Sequence, residues 1–289
     1  MASQYNFEAI GTHWQIDIYE ELSSEKEAAL FAAIQERIAI FDAHYSRFRP
    51  DSLVTKISLA AGTYAMPEDF KDMYDLYEKM YKITNGLVTP LIGQTLSDAG
   101  YDADYSLTQK NDLQAPPAWE DVMEYHHPEL IIKQRALLDF GAAGKGYLID
   151  IVAGVIEKHG VRAYCVDAGG DMIHRNNEPI TVGLEHPDHA DQVIGVAVLQ
   201  NKSLCGSAGN RRKWQNMHHI INPKELSSPK NIRAVWTVAQ NTMLADGLAT
   251  CLFFVPAAAL ADFAFQYVIV REDYSVQHSA DFPGELFNV

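Results

Sequence analysis

Leu138-Asp139-Phe140-Gly141-Ala142-Ala143-Gly144-Lys145-Gly146-Tyr147-Leu148-Ile149-Asp150 reads as strand, turn and helix: an apolar run ends in an acid, three glycines follow, and an amphipathic pattern takes over. Glycines let a backbone come close to a ligand, and free N–H groups at a helix start attract anions. Lys145 adds a mobile positive charge to that turn. The spacing fits neither the Walker A loop nor the dinucleotide fingerprint, so a tight structural turn is an equal alternative. What surrounds the stretch has to decide between them.

The chain has 289 residues, 47% hydrophobic and 21% charged, enough to bury a core and too apolar for a disordered chain. Its formal net charge of -15 excludes a general nucleic-acid binder, which needs a positive surface. A local pocket can still take an anion. Cys165, Cys205 and Cys251 are odd in number and widely spaced, which predicts buried, reduced thiols. The first residues carry no basic segment followed by an apolar core, and no apolar run reaches the ~18 residues of a membrane span. These features predict a cytoplasmic protein with no membrane partner.

Alternation over 7–20 predicts a first strand. Ser24 with Glu27 forms a capping box before a helix carrying Leu30, Ile34, Ile38, Phe41 and Tyr45 on one face. Pro67-Glu68 opens a second helix, stopped at Asn85-Gly86. Residues 89–130 read as a partly irregular excursion. Strands are predicted at Ala136–Phe140, Ala163–Val166, Ile180–Leu184, Val193–Leu199 and Val235–Ala239. Helices are predicted at Tyr147–Lys158, Met243–Phe254 and Ala257–Gln266, with a closing hairpin at Tyr267–Arg271 and Tyr274–Gln277. No repeat and no clean linker divides the chain. The expectation is a single α+β domain over residues 1–289.

Asp246 and Thr250 stand four apart, which on a helix puts carboxylate and hydroxyl on one face. Two hard oxygens suit Mg²⁺, and an acid among Leu244, Leu248 and Leu252 is costly unless paired or bound to a cation. The alternative is an acid that caps the segment near Asn241-Thr242. Asp167-Ala168-Gly169-Gly170-Asp171 is good material for a plain hairpin turn, or a strand end that presents an acid to a ligand. His218 and His219 are adjacent and in a strand point to opposite faces, so at most one serves a given site. Arg211-Arg212-Lys213, behind a small flexible loop, is either anion-facing or solvated. Tyr45-Ser46-Arg47-Phe48 joins aromatics to cations, and a ring there could stack on a ring system or simply pack a helix end.

In this order the segments resemble the ApbE family, the FAD:protein FMN transferases. Ile10-Gly11-Thr12 is similar to the family's Met-Gly-Thr opening, and Ser46-Arg47-Phe48 through Asp51-Ser52 to its Ser-x-Tyr/Phe…Asp-Ser stretch. Thr84-Asn85-Gly86-Leu87-Val88 resembles Thr-Asp-Gly-Ala-Phe/Met. Asp139 to Asp150 resembles Asp-Leu-Gly-Gly-Ile-Ala-Lys-Gly-Tyr-x-x-Asp. Gly169-Gly170-Asp171, His219-Ile220-Ile221-x-Pro223 and Asp246-x-x-x-Thr250 complete the set.

The resemblance implies an ApbE-like α+β fold of two similar halves, each an antiparallel sheet packed by helices. It implies FAD as substrate and Mg²⁺ as cofactor. It also implies transfer of FMN to a threonine or serine hydroxyl of an acceptor flavoprotein, with release of AMP. Hydrolysis of FAD to FMN and AMP, or FAD binding without turnover, are the alternatives. Asp246, Thr250 and the Ala142 carbonyl would hold Mg²⁺. Asp139 and Lys145 would contact FAD, with Ile10, Phe48, Leu87, Val88, Thr89 and Ile220 lining its pocket. His219 would be a base or donor near the reacting phosphate, and Asp171 is read as lining the same cleft. The sequence departs from the family where Thr89 replaces an acid, where Trp-Gly-Phe becomes Ala99-Gly100-Tyr101, and where Thr-Ser-Gly becomes Gly206-Ser207-Ala208-Gly209. Asn222 replaces an acid before Pro223. These changes lie on the flavin and acceptor sides, and the metal set is intact.

Overall fold

A computed structural model describes residues 2–210 and 212–287. Arg211, and with it the first member of the basic triplet, lies outside the described residues. The chain opens with a hairpin of β1 (Ser3–Ala9) and β2 (Thr12–Ile18), then α1 (Ser24–Tyr45), α2 (Leu53–Leu59), β3 (Gly62–Ala65) and α3 (Phe70–Ile83). After a 3-10 turn at Pro90–Ile92 come α4 (Gly93–Asp98), α5 (Trp119–Val122), β4 (Met123–His126) and β5 (Glu129–Ile132). The second half runs α6 (Gly144–Lys158), β6 (Tyr164–Ala168), β7 (Asp171–Arg175), β8 (Ile180–His186), β9 (His189–Leu199) and β10 (Ser203–Ala208). It continues through β11 (Lys213–Trp214), β12 (Met217–His218), β13 (Ile232–Ala239), α7 (Thr242–Cys251), β14 (Phe265–Arg271), β15 (Val276–His278) and β16 (Gly284–Leu286).

Eight strands form one antiparallel sheet in the order β1-β2-β6-β7-β10-β13-β14-β15. The expected halves therefore share a single sheet and meet where β7 pairs with β10. α6 packs on β6 and β7, and α7 packs on β10 and β13. The period-2 geometry of a strand is visible in β13. Ala234, Trp236 and Val238 face a second, three-stranded sheet, β16-β9-β8. Val235 joins the main core and the Thr237 hydroxyl donates to the Ala245 carbonyl of α7 at 2.6 Å. A strand covered on both faces reads as continuously apolar, and β13 is buried at seven of its eight positions.

α1 buries the stripe read from the sequence, Leu30, Ile34, Ile38, Phe41 and Tyr45. Its cap is Ser23, whose hydroxyl accepts the Lys26 N–H, one residue ahead of the expected box. Three expectations are corrected. Residues 7–20 hold the end of β1, a two-residue turn and β2 rather than one strand. Ala136–Phe140 is no strand: the Asp139 N–H goes to the Pro90 carbonyl at 2.7 Å, so this buried run satisfies its backbone against a loop. Ala257–Gln266 is one 3-10 turn, Ala257–Leu260, before β14 begins at Phe265. The excursion 89–130 carries short elements at both ends and none between Asp98 and Trp119.

The contact between α6 and α7 positions the site. A Cβ built on Gly146 would lie 2.3 Å from the Thr242 carbonyl oxygen and 2.8 Å from the Asp246 Cβ, so only glycine permits this approach. Gly146→Ala pushes the helices apart. The expected cost is about 1–3 kcal/mol, the usual range for overpacking, read as a lower melting temperature.

Candidate active site

Two tight hairpins share one end of the large sheet. Ile10-Gly11 joins β1 to β2 with φ of 45° and 74°, and Gly169-Gly170 joins β6 to β7 with φ of 64° and 92°. Both central residues with positive φ are the signature of the hairpin turn that matches strand twist. The pentapeptide Asp167–Asp171 is a hairpin turn, and Asp167, Gly169, Gly170 and Asp171 also border the cleft, so both readings of the segment meet in it. The two turns touch: a Cβ on Gly169 would meet the Thr12 hydroxyl. Ile10 is β-branched in the left-handed region, a conformation that costs about 1–3 kcal/mol and clusters at functional sites.

Below these turns lies a cleft of about 880 Å³. Every residue assigned from the sequence borders it: Ile10, Phe48, Leu87, Val88, Thr89 and Asp139 from the first half, and Ala142, Lys145, Asp171, His219, Ile220, Asp246 and Thr250 from the second. Thr89 caps the 3-10 turn, its hydroxyl accepting the Leu91 N–H at 3.2 Å. The Val88 N–H donates to the Thr84 hydroxyl at 3.0 Å, which fixes the 87–89 wall.

The oxygen groups expected to hold a cation lie together. The Thr250 hydroxyl stands 3.5 Å from the Ala142 carbonyl oxygen, and Asp246 lies one turn earlier on α7. The Ala142 peptide is held by its N–H, which donates to the buried Tyr77 hydroxyl at 3.1 Å. Asp246 is only 6% exposed, and its Oδ2 accepts the Gly146 N–H at 2.9 Å. Burial pushes its carboxyl above the usual carboxylate range, opposed by the charge of Lys145. A carboxylate, a hydroxyl and a carbonyl suit a hard cation that keeps several waters, and a bound cation would offset the cost of burying the acid. Among the described residues no group of three or more His, Cys, Asp or Glu could hold a metal ion.

Lys145 forms an ion pair with Asp171, whose other oxygen accepts the Gly206 N–H at 3.0 Å. Burial lowers the affinity of Lys145 for its proton and the Asp246 carboxylate raises it. Asp139 is occupied too. It pairs with Arg47, and its Oδ1 accepts the Gly141 N–H at 2.7 Å. Arg47 is the residue that the sequence reading passed over. Its guanidinium lies 4.2 Å from the Phe48 ring centroid and 4.9 Å from that of Tyr101. Within Ser-x-Phe it occupied the variable position, and its partner is 92 residues away, so only the juxtaposition of cation and aromatic pointed to it. Arg212, which donates to the Tyr101 hydroxyl at 3.0 Å, brings a further cation to the cleft wall.

The two histidines divide, although only His218 lies in a strand, β12, and His219 follows it. His218 is structural: its Nε2 faces the Pro229 carbonyl at 3.0 Å and its N–H donates to Ser228. His219 borders the cleft, and among the described residues its Nδ1 has no hydrogen-bond partner. Burial, reinforced by Arg212, lowers its pKa to about 3, so the ring is neutral through the physiological range.

The fold is that of solved ApbE proteins. The crystal structure of the ApbE protein from Thermotoga maritima matches with a TM-score of 0.83 at 20% identity, covering 98% of this chain and 99% of that one. The flavin transferase ApbE from Vibrio cholerae matches with a TM-score of 0.79 at 16% identity, covering 97% of each chain. The ApbE family model matches residues 10–269, and the chain belongs to the ApbE family. A curated relative, the FAD:protein FMN transferase of Klebsiella pneumoniae (strain 342), is 23% identical over 266 residues, 84% of this chain and 75% of its own length.

Proposed function

We propose that this chain is an Mg²⁺-dependent FAD:protein FMN transferase. Its substrate is FAD and its acceptor is a threonine or serine hydroxyl of a target flavoprotein. The family and the names of its curated relatives supply the reaction. The observation that carries the reading to this chain is the meeting of Ala142, Asp246 and Thr250 on one cleft wall beside Lys145.

In this reaction the acceptor oxygen forms a bond to the phosphorus on the riboflavin side of the pyrophosphate. The bond from that phosphorus to the bridging oxygen breaks, and AMP leaves with the electron pair. Asp246, Thr250 and the Ala142 carbonyl would hold Mg²⁺, which would supply charge neutralisation at the pyrophosphate oxygens. Lys145 and Arg212 add positive charge along the same wall, and Phe48, held between the Arg47 guanidinium and the Tyr105 ring, lines the cleft beside them. His219, with no partner for Nδ1 among the described residues, is placed to take the proton of the attacking hydroxyl, although burial and Arg212 weaken it as a base until an anionic substrate enters the cleft. Cys165, Cys205 and Cys251 are buried and unpaired, the state of cysteine in a reducing compartment, and we place the enzyme in the cytoplasm. Cell fractionation tests that placement. No helix among the described residues is long and apolar enough to cross a membrane.

The test is incubation with FAD and Mg²⁺, with and without a co-expressed acceptor flavoprotein, followed by mass analysis of protein and nucleotide. The expected result is acceptor carrying FMN, with AMP released in equal amount. Free FMN and AMP without acceptor labelling would make the enzyme an FAD pyrophosphatase. Bound, intact FAD would make it a non-catalytic binder. A smaller effect is expected at the first hairpin. Ile10→Gly relieves the left-handed strain and raises stability by about 1 kcal/mol, while removing an apolar wall of the cleft weakens FAD binding. Melting curves and FAD titration read the two signs separately.

A further inference from the structure

α6 and α7 cap each other. Gly146 lies in the first turn of α6, and its N–H, which has no partner within its own helix, donates to Asp246 Oδ2 of α7 at 2.9 Å. One turn along α6, Asp150 Oδ1 accepts the Thr242 N–H and Oδ2 the Met243 N–H, both at 2.8 Å. Thr242 and Met243 open α7, so their N–H groups are likewise unpaired within the helix. Residues 146 and 150 share one face of α6, and 242 and 246 are one turn apart on α7. α7 also has a cap of its own, since the Asn241 side chain accepts the Leu244 N–H at 2.9 Å. The Asn241 cap fixes where the helix starts. Asp150 fixes where the helix sits against α6.

That distinction matters because the metal ligands belong to both helices. The Ala142 carbonyl immediately precedes α6, and Thr250 and Asp246 ride on α7. A slip of one residue along a helix is about 1.5 Å, whereas Mg²⁺ requires oxygen ligands at about 2.0–2.1 Å in near-ideal geometry. Without a fixed register the carbonyl and the hydroxyl would not meet. We infer that Asp150 is a positioning residue for the cation site: by binding the first two N–H groups of α7 it holds Asp246 and Thr250 in register with the Ala142 carbonyl. It does so without touching cation or substrate.

This inference rests on the Mg²⁺ reading above. The experiment titrates Mg²⁺ against transferase activity in the full chain, and measures FAD binding separately by flavin fluorescence in EDTA. Asp150→Asn keeps the shape and turns one N–H acceptor into a donor. Its half-saturating Mg²⁺ is expected to rise about 10–100-fold, the usual effect of losing a group that orients a metal ligand. FAD binding in EDTA stays at the wild-type value, and saturating Mg²⁺ restores most of kcat. A second pair of variants compares the N–H with the hydroxyl. Thr242→Pro removes the N–H that Asp150 accepts, at a first-turn position where proline is tolerated and behind an Asn241 that is already extended. It also loses the hydroxyl, which bonds to Ser203 and reaches Asp150 as well, and Thr242→Ala loses that hydroxyl alone. Thr242→Pro is expected to shift the Mg²⁺ response further than Thr242→Ala does, so the comparison holds even where Asp150→Asn does not fold. An Mg²⁺ response equal to wild type in Asp150→Asn, or equal in the two Thr242 variants, overturns the inference. A wild-type enzyme indifferent to Mg²⁺ and EDTA overturns the metal reading itself.

Discussion

Asp246→Ala is expected to abolish FMN transfer and, with it, the rise in melting temperature expected of the wild type in Mg²⁺. Asp246 is the only carboxylate among the three oxygen groups assigned to the cation, so its removal leaves a hydroxyl and a carbonyl with no formal charge to hold Mg²⁺. A metal that neutralises a pyrophosphate in the transition state is worth several kcal/mol. Its loss should cost about 10³-fold or more in rate, at about 1.4 kcal/mol per tenfold. The fold should survive, because the buried carboxylate is itself a burden in the metal-free chain, as the upward push on its pKa shows. The stability readout separates binding from catalysis. At a Mg²⁺ concentration of about 100 times Kd, the wild type gains about 2.7 kcal/mol, and the variant gains nothing. Transfer at the wild-type rate by Asp246→Ala would remove this residue from the mechanism. A preserved Mg²⁺ shift without transfer would instead make it catalytic but not a ligand.

How much of this could be read in the chain depends on distance along it. The Asp246–Thr250 pair was legible because a helix turns i and i+4 onto one face without help from the rest of the molecule. The stripe of α1 was legible for the same reason. The opening stretch was only half legible. Its apolar start reads as strand, yet Asp139 gives its N–H to Pro90 and its carboxylate to Arg47 and Gly141, contacts that no local pattern announces. Gly146 looked like a glycine that lets a ligand approach. It is one that lets α7 approach, because the neighbouring carbonyl sits where its side chain would be. Arg47 stayed hidden because a buried arginine is meaningful only through its partner, and the partner lies in another motif.

The second large effect is expected at Lys145. Asp171 is 1% exposed, with one oxygen on the Gly206 N–H and the other paired to Lys145. Lys145→Met leaves that carboxylate buried without its counter-charge, which costs about 3–5 kcal/mol. At 2–4 °C per kcal/mol for a chain of this size class, the melting temperature falls by roughly 6–20 °C. Asp171→Asn added to Lys145→Met removes the stranded charge and should restore most of the melting temperature at pH 7. It should not restore activity if Lys145 also meets the substrate's phosphate. A charged hydrogen bond of about 1.5–3 kcal/mol is then missing, which weakens FAD binding about 10–100-fold. FAD titration of the double variant decides between the two roles. Wild-type affinity and turnover in a restabilised double variant would mean that Lys145 serves only to neutralise Asp171. A stable double variant with weak FAD binding would place its ammonium on the nucleotide.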